Sequence, residues 1–158
     1  MHIVILGNGF AGVSALETVQ QHDRGAKVTV LSGEDCGFYS PASLFAYLEG
    51  RVGRSNLFLR EKNDYARSGV RTIFGRKAIR LEATQKAVYL DDGTKVSYDR
   101  LLIATGASSL ALGIKGSIHS GVFKLDTLAD ADRIMAHGGR QVVIVGAGRI
   151  GVELASVL

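Results

Sequence analysis

The sequence predicts an α/β fold: a parallel sheet of short buried strands, a small antiparallel β-meander beside it, and the start of a second unit of the first kind. Three observations predict it. Apolar runs at residues 2–6, 101–104 and 141–145 are continuous rather than alternating, as strands covered on both faces are, and 27–31 is a β-branched run. Two of these runs, 2–6 and 141–145, lead into the same spacing of glycines and then into a helical pattern. Between them lie three short strand-like runs, two of them joined by Asp91-Asp92-Gly93, a hairpin turn signal.

Taken in order, residues 2–6 predict the first strand. Val13, Leu16 and Val19 then recur near helical spacing up to Gly25, a C-terminal cap. The β-branched run 27–31 closes a βαβ unit. Pro41 opens a short helix over 42–49, with Gly50 at its end. Residues 61–68, closed by Gly69, predict another, and 70–74 a strand. The meander follows at 77–81, 87–90 and 95–98. Residues 101–104 are again a buried strand, ended sharply by Thr105-Gly106-Ala107. Asp126 or Thr127 caps a helix running to about His137, with Leu128, Ile134 and Met135 on one face. Residues 141–145 then repeat the opening strand. A βαβ unit takes roughly 30 residues. The second one therefore stays unfinished at Leu158, and the chain is expected to be a fragment or to complete its sheet with a partner.

Bulk composition narrows the function classes. The chain has 158 residues, 46% of them hydrophobic and 22% charged, which is ordinary for a globular domain. Its net charge of +4 comes from basic residues scattered along the chain without a Lys/Arg block, so no nucleic-acid partner is expected. Cys36 is the only cysteine, which excludes an internal disulfide and a cysteine-held metal cluster and fits a reducing, cytoplasmic setting. The immediate opening strand predicts no signal peptide. The most apolar stretch, 101–114, is interrupted by Thr105, Gly106, Ser108 and Ser109, and no membrane span is expected.

The chemistry lies in the glycine strings. Gly7-Asn8-Gly9-Phe10-Ala11-Gly12 matches G-x-G-x-x-G between a strand and a helix, the context that gives this motif meaning. The first glycine permits the tight turn, the second lets backbone N–H groups approach a pyrophosphate, and the third lets helix and strand pack. The helix N-terminus adds unpaired N–H donors and a positive dipole end. This is a Rossmann-like dinucleotide turn. An acid that bonds a ribose hydroxyl is expected after the second strand. The usual place holds Ser32, so Glu34 is the candidate. Gly146-Ala147-Gly148-Arg149-Ile150-Gly151, followed by Glu153, repeats the motif and predicts a second dinucleotide. His22, His119 and His137 fall in surface or loop positions, and Asp99 is expected to tie a turn.

The two turns, with the string from Tyr98 to Ala107 between them (YDRLLIATGA), resemble the pyridine nucleotide-disulfide oxidoreductase superfamily over essentially the whole chain. Phe38-Tyr39-Ser40-Pro41-Ala42-Ser43-Leu44 and Asn56-Leu57-Phe58-Leu59-Arg60 most resemble its branch of NADH oxidases, coenzyme A-disulfide reductases, and rubredoxin, ferredoxin and nitrite reductases. The resemblance implies an FAD-binding domain over 1–125, and over 126–158 a linker helix and the truncated start of an NAD(P)-binding domain. It implies FAD at Gly7, Gly9, Phe10, Ala11 and Gly12, with Ala78 meeting the adenine. Ala104, Thr105 and Gly106 would pass close to the cofactor, and Pro41 and Ser43 would lie near the flavin ring. NAD(P)H would sit at Gly146, Gly148, Ile150, Gly151 and Glu153. It also implies a homodimer in the full-length form and an oxidoreductase that passes electrons to an acceptor, with a redox protein among the candidates. Where thiol-using members place a redox cysteine, this chain has Ala42, and Cys36 lies six residues earlier. A thiol relay is therefore not expected. Ser40 stands in the neighbourhood where rubredoxin- and ferredoxin-reductase members carry an arginine.

Overall fold

The computed structural model describes residues 1–110, 113–139 and 141–158. It divides into two compact units, one formed by 1–39 and 58–106, the other by 40–57 and 107–158.

The first unit is built on a parallel sheet. Its strands are β1 (His2–Leu6), β2 (Lys27–Ser32), β5 (Arg71–Phe74) and β9 (Arg100–Ile103), in the order β5-β2-β1-β9. β1 pairs with β2 in the register Leu6↔Leu31 and with β9 in the register Leu6↔Ile103. Helix α1 (Phe10–His22) connects β1 to β2, and α3 (Lys62–Arg67) precedes β5. β3 (Phe38–Tyr39) and β4 (Phe58–Arg60) form a small antiparallel pair. The meander is β6 (Ala78–Glu82), β7 (Ala87–Leu90) and β8 (Lys95–Ser97), antiparallel throughout.

The continuous apolar runs are explained by two cores, one on each face of the sheet. Val4, Leu6 and Leu31 pack with Val88, Leu90 and Val96 of the meander. Ile5, Val28 and Val30 pack with Leu16 of α1, Tyr65 of α3 and Val70. Neighbouring residues of one strand point to opposite faces, so a strand buried on both is apolar at nearly every position; the buried Thr29 of β2 is paired through its Oγ1 with His2 Nε2 at 2.9 Å. Burying each such side chain contributes about 1.5–3 kcal/mol.

The second unit holds α2 (Ser43–Leu48), a 3-10 turn at Arg54–Leu57, α4 (Leu128–His137) and α5 (Arg149–Val157). α2 packs against α4 and α5. Polar bonds join α2 and the 3-10 turn to α4: Asp132 Oδ1 accepts from the Tyr47 hydroxyl at 2.7 Å, and Asp132 Oδ2 accepts from Arg54 Nε and Nη2 at 3.3 and 3.2 Å. Hydrogen bonding to Asp132 holds the Tyr47 hydroxyl above its ordinary pKa. α4 starts in a capping box, with Thr127 as N-cap and Asp130 reaching back. Among the described residues no helix is long and apolar enough to cross a membrane.

Some expectations are corrected. Asp23, not Gly25, ends α1, and its carboxylate accepts from the Gly25 N–H at 3.2 Å; an aspartate folded onto the backbone two residues on terminates a helix without a left-handed glycine. On α4, Leu128 is buried but Met135 is 45% exposed, because Ala131 and the cap acid Asp130 take the covered face. β3, β4 and the 3-10 turn are too short to carry a period and were not anticipated. Residues 141–145, expected as a strand, are not one: no described strand pairs with them, and Val143 is 89% exposed.

Candidate dinucleotide site

The first glycine turn stands at the C-terminal end of β1. β1 has β2 on one side and β9 on the other, so the turn sits where the sheet order reverses, the place at which open α/β sheets bind ligands. Gly7 N–H donates to Leu31 O at 2.8 Å, and Ala104 N–H donates to Leu6 O at 2.7 Å. These bonds lock the turn between the ends of β2 and β9. Gly7 has φ +113°, and a Cβ there would lie 2.0 Å from the Ala104 carbonyl oxygen. A Cβ on Gly12 would lie 2.1 Å from the Gly7 carbonyl oxygen. Both positions exclude any side chain.

Gly9 is different. It is the N-cap of α1, and nothing lies within 4 Å of where its Cβ would be. No side chain caps the helix, and its first turn carries no acid. Val13 N–H closes on Gly9 O at 2.9 Å, so the N–H groups of Phe10, Ala11 and Gly12 come before the first intrahelical bond. Open backbone at Gly9, unpaired donors and a dipole end make a cradle for an anion. The residues fit a pyrophosphate.

Around the turn, the structure brings most of the expected residues to one end of the sheet. Ser32 ends β2, and its Oγ accepts from Glu34 N–H at 3.2 Å. The half-buried Glu34 carboxylate accepts from the Tyr39 hydroxyl at 2.8 Å. Gly75 N–H and Arg76 N–H donate to the carbonyls of Glu34 and Ser32 at 3.2 and 3.1 Å. They tie the β5–β6 connection to this loop, and Ala78 opens β6 two residues on, exposed. Thr105 and Gly106 follow β9, both exposed, with Gly106 at φ +70° and no atom within 4 Å of a Cβ there. Phe10 is 57% exposed and meets Phe38 edge-on at 5.1 Å.

Sequence reasoning missed the residues beneath the turn. Tyr65, on α3, is fully buried, and its hydroxyl donates to Asn8 Oδ1 at 2.5 Å. Its ring meets Phe74 edge-on at 5.5 Å, and the Arg60 guanidinium lies 5.0 Å from its centroid. Burial pushes the Tyr65 phenol up to about 12. Arg60 Nη1 is buried with no hydrogen-bond partner; the ring face beneath the cation compensates part of its desolvation. Asn8 and Tyr65 are 57 residues apart in sequence, and no local signal joins them.

In the second unit the other glycine turn reproduces the first. Gly146 has φ +112°, and a Cβ on Gly151 would lie 2.0 Å from the Gly146 carbonyl oxygen. Gly148 is the N-cap of α5, with open space at its Cβ position and no acid in the first turn. Ile150 is exposed, and Glu153 faces Arg149 one turn away at 3.5 Å. Pro41 is exposed just before α2, and Ser43 begins that helix with its N–H on Ser40 O at 2.9 Å. Cys36 is half-buried. Asp99 accepts from the His2 N–H at 2.6 Å, and that bond holds its carboxyl below the ordinary value. It is a structural tie.

The description of the pyridine nucleotide-disulphide oxidoreductases matches residues 1–158. The chain belongs to this family. Among its relatives, the assimilatory nitrate reductase electron transfer subunit of Bacillus subtilis (strain 168) is 30% identical over 156 residues, covering 97% of this chain and 20% of that protein. Rubredoxin-NAD(+) reductase of Pseudomonas putida is 31% identical over 159 residues, covering 99% of this chain and 41% of that protein. The covalent putidaredoxin reductase–putidaredoxin complex contains a chain with TM-score 0.83 and 28% identity, matched over 99% of this chain and 39% of its own. The chain thus spans between a fifth and about two fifths of the length of these family members.

Proposed function

We propose that this chain forms the FAD-binding part, and begins the nicotinamide nucleotide part, of a flavin-dependent NAD(P)H oxidoreductase that delivers electrons to a redox-protein acceptor. The observation that carries it is the pair of equivalent turns. Gly7 and Gly146 share their backbone conformation, Gly12 and Gly151 share the same close approach, and Gly9 and Gly148 both leave open space at a helix N-terminus. Two such turns in one chain suit two dinucleotides.

In this reading Gly7, Gly9 and Gly12 hold the FAD pyrophosphate, with N–H donors from Phe10 and Ala11. Glu34, steadied by the Tyr39 hydroxyl, takes the ribose, and Ser32 orders the loop that presents it. Ala78 meets the adenine, and Ala104, Thr105 and Gly106 leave room for the cofactor to pass. Pro41 and Ser43 serve the flavin ring. Gly146, Gly148, Ile150, Gly151 and Glu153 serve NAD(P)H. The bound flavin supplies a two-electron acceptor for hydride at N5 and a route for electrons onward; the protein's share is position and electrostatics. Ala42 at the position of the redox cysteine speaks against a thiol relay. The electron-transfer roles in the names of the relatives support a protein acceptor.

The test is a visible spectrum of the purified chain with FAD, before and after anaerobic NADH. A bound-flavin band that bleaches is the expected result. A chain that takes up no FAD, or that holds FAD unreduced by both NADH and NADPH, would overturn the assignment in its first or second half.

A further inference from the structure

The glycine turn carries one side chain between its first two glycines, Asn8, and among the described residues that side chain has a single hydrogen-bond partner. Tyr65 O–H donates to Asn8 Oδ1 at 2.5 Å from a fully buried position. In a planar amide the oxygen and nitrogen diverge from one carbon, so an oxygen held by Tyr65 turns the nitrogen away from that hydroxyl. Asn8 is half-buried, and among the described residues no other group takes a hydrogen from its Nδ2. The Tyr65 hydroxyl is the donor of this bond. Burial keeps it protonated through any physiological pH, and its ring is pinned by Phe74 at its edge and by the Arg60 guanidinium over its face. Two fixed donors thus stand on the same turn as the open backbone of Gly9.

We propose that Asn8 Nδ2 is a side-chain anion ligand of the glycine turn, and that Tyr65 is the positioning residue that aims it. This rests on the dinucleotide reading of the turn and adds to it a contact that no glycine supplies. The backbone cradle explains why the motif needs Gly7, Gly9 and Gly12. It leaves the second residue of the motif free in principle, and in this chain a helix 57 residues away holds that residue in one orientation. A purely structural Tyr65–Asn8 bond would serve the core equally well with the amide turned by any route. What it would not do is set the affinity for a phosphate through Asn8.

The experiment is FAD titration by flavin fluorescence on the chain itself, with Tyr65→Phe, Asn8→Ala and the double variant. Phenylalanine keeps the ring contacts to Phe74 and Arg60, so the single change removes only the hydroxyl. Each single variant is expected to weaken FAD binding by about tenfold, as the loss of a charge-assisted hydrogen bond does. The double variant is expected to be no weaker than Asn8→Ala alone, because Tyr65 acts only through Asn8. In the free chain, Tyr65→Phe should also broaden or shift the Asn8 side-chain NH2 resonances by NMR. Additive losses in the double variant, or wild-type affinity in Tyr65→Phe, would overturn the positioning role while leaving the dinucleotide reading standing. A wild-type chain that binds no FAD would overturn both.

Discussion

At the scale of single residues, glycines that look alike in sequence do different work. Gly7 and Gly12 are small because backbone passes through the space a side chain would fill, and Gly7 also has a left-handed φ. Gly9 is small although its surroundings are empty. Gly7→Ala is therefore expected to cost at least about 2 kcal/mol of folding stability, through a clash that no flexible group can relieve. Gly9→Ala should stay within about 0.5 kcal/mol of wild type and yet lose FAD affinity. Denaturant melts paired with flavin titrations of the two variants check this. The outcome that would sink it is a Gly9→Ala chain that unfolds as readily as Gly7→Ala. Tyr65 makes a pH prediction. Its folded-state pKa, about 12, lies above its ordinary value of 10.0 because burial disfavours the phenolate. The unfolded chain therefore loses this proton first. The stability tied to it is complete below pH 10 and disappears between pH 10 and 12, by about 2–3 kcal/mol. Comparing wild type with Tyr65→Phe across that window isolates the effect, since the variant has nothing to ionise there.

At the scale of elements, short helices depend on their ends. α4 has 10 residues and a capping box in which Thr127 Oγ1 accepts from the Asp130 N–H at 3.2 Å. Asp130 Oδ2 in turn accepts from the N–H groups of Asp126 and Thr127, both at 3.0 Å, and Arg133 pairs with the same carboxylate. Burial alone would raise the Asp130 pKa. The donors outweigh it and hold the carboxyl below its ordinary value. Thr127→Ala should cost about 1 kcal/mol, read from thermal unfolding of the chain. A depressed carboxylate lends stability that is complete above the unfolded-state pKa and is lost as the pH falls through the folded-state one. Asp130→Asn should accordingly flatten the acid limb of a stability–pH curve. An unchanged limb would show that the cap contributes nothing in solution. β6 to β8 follow the same logic in a sheet: Tyr89 of β7 sits under Arg80 of β6, whose guanidinium is 3.7 Å from the ring centroid. Cross-strand pairs of this kind fix register where single strands are short.

At the scale of the whole molecule, much of the fold was legible because its signals are local. The strands at 2–6, 27–32 and 100–103, the helix after the first glycine turn, and the meander with its Asp-Asp-Gly hairpin all fall where periodicity and turn chemistry put them. The glycine turn was legible for the same reason: a strand, a glycine string and a helix are contiguous. The support of that turn was not. Tyr65, Arg60 and Tyr39 come from segments whose spacing says nothing about Asn8 or Glu34, and only the packing of α3 and of the β3–β4 pair brings them there.

The two copies of the motif draw the line most clearly. Residues 2–12 and 141–151 are nearly the same sentence in apolar residues and glycines, and their turns have the same geometry. Residues 2–6 form a central strand with hydrogen bonds to β2 and β9, whereas 141–145 have no strand beside them among the described residues. Amide hydrogen exchange should therefore be slow across 2–6 and fast across 141–145, and equal protection in the two segments would contradict the structure. The sequence alone determined the turns, because a turn is settled by the sterics of a few consecutive residues. Only the tertiary structure decided which apolar run became a strand, because a strand's hydrogen bonds belong to its neighbours.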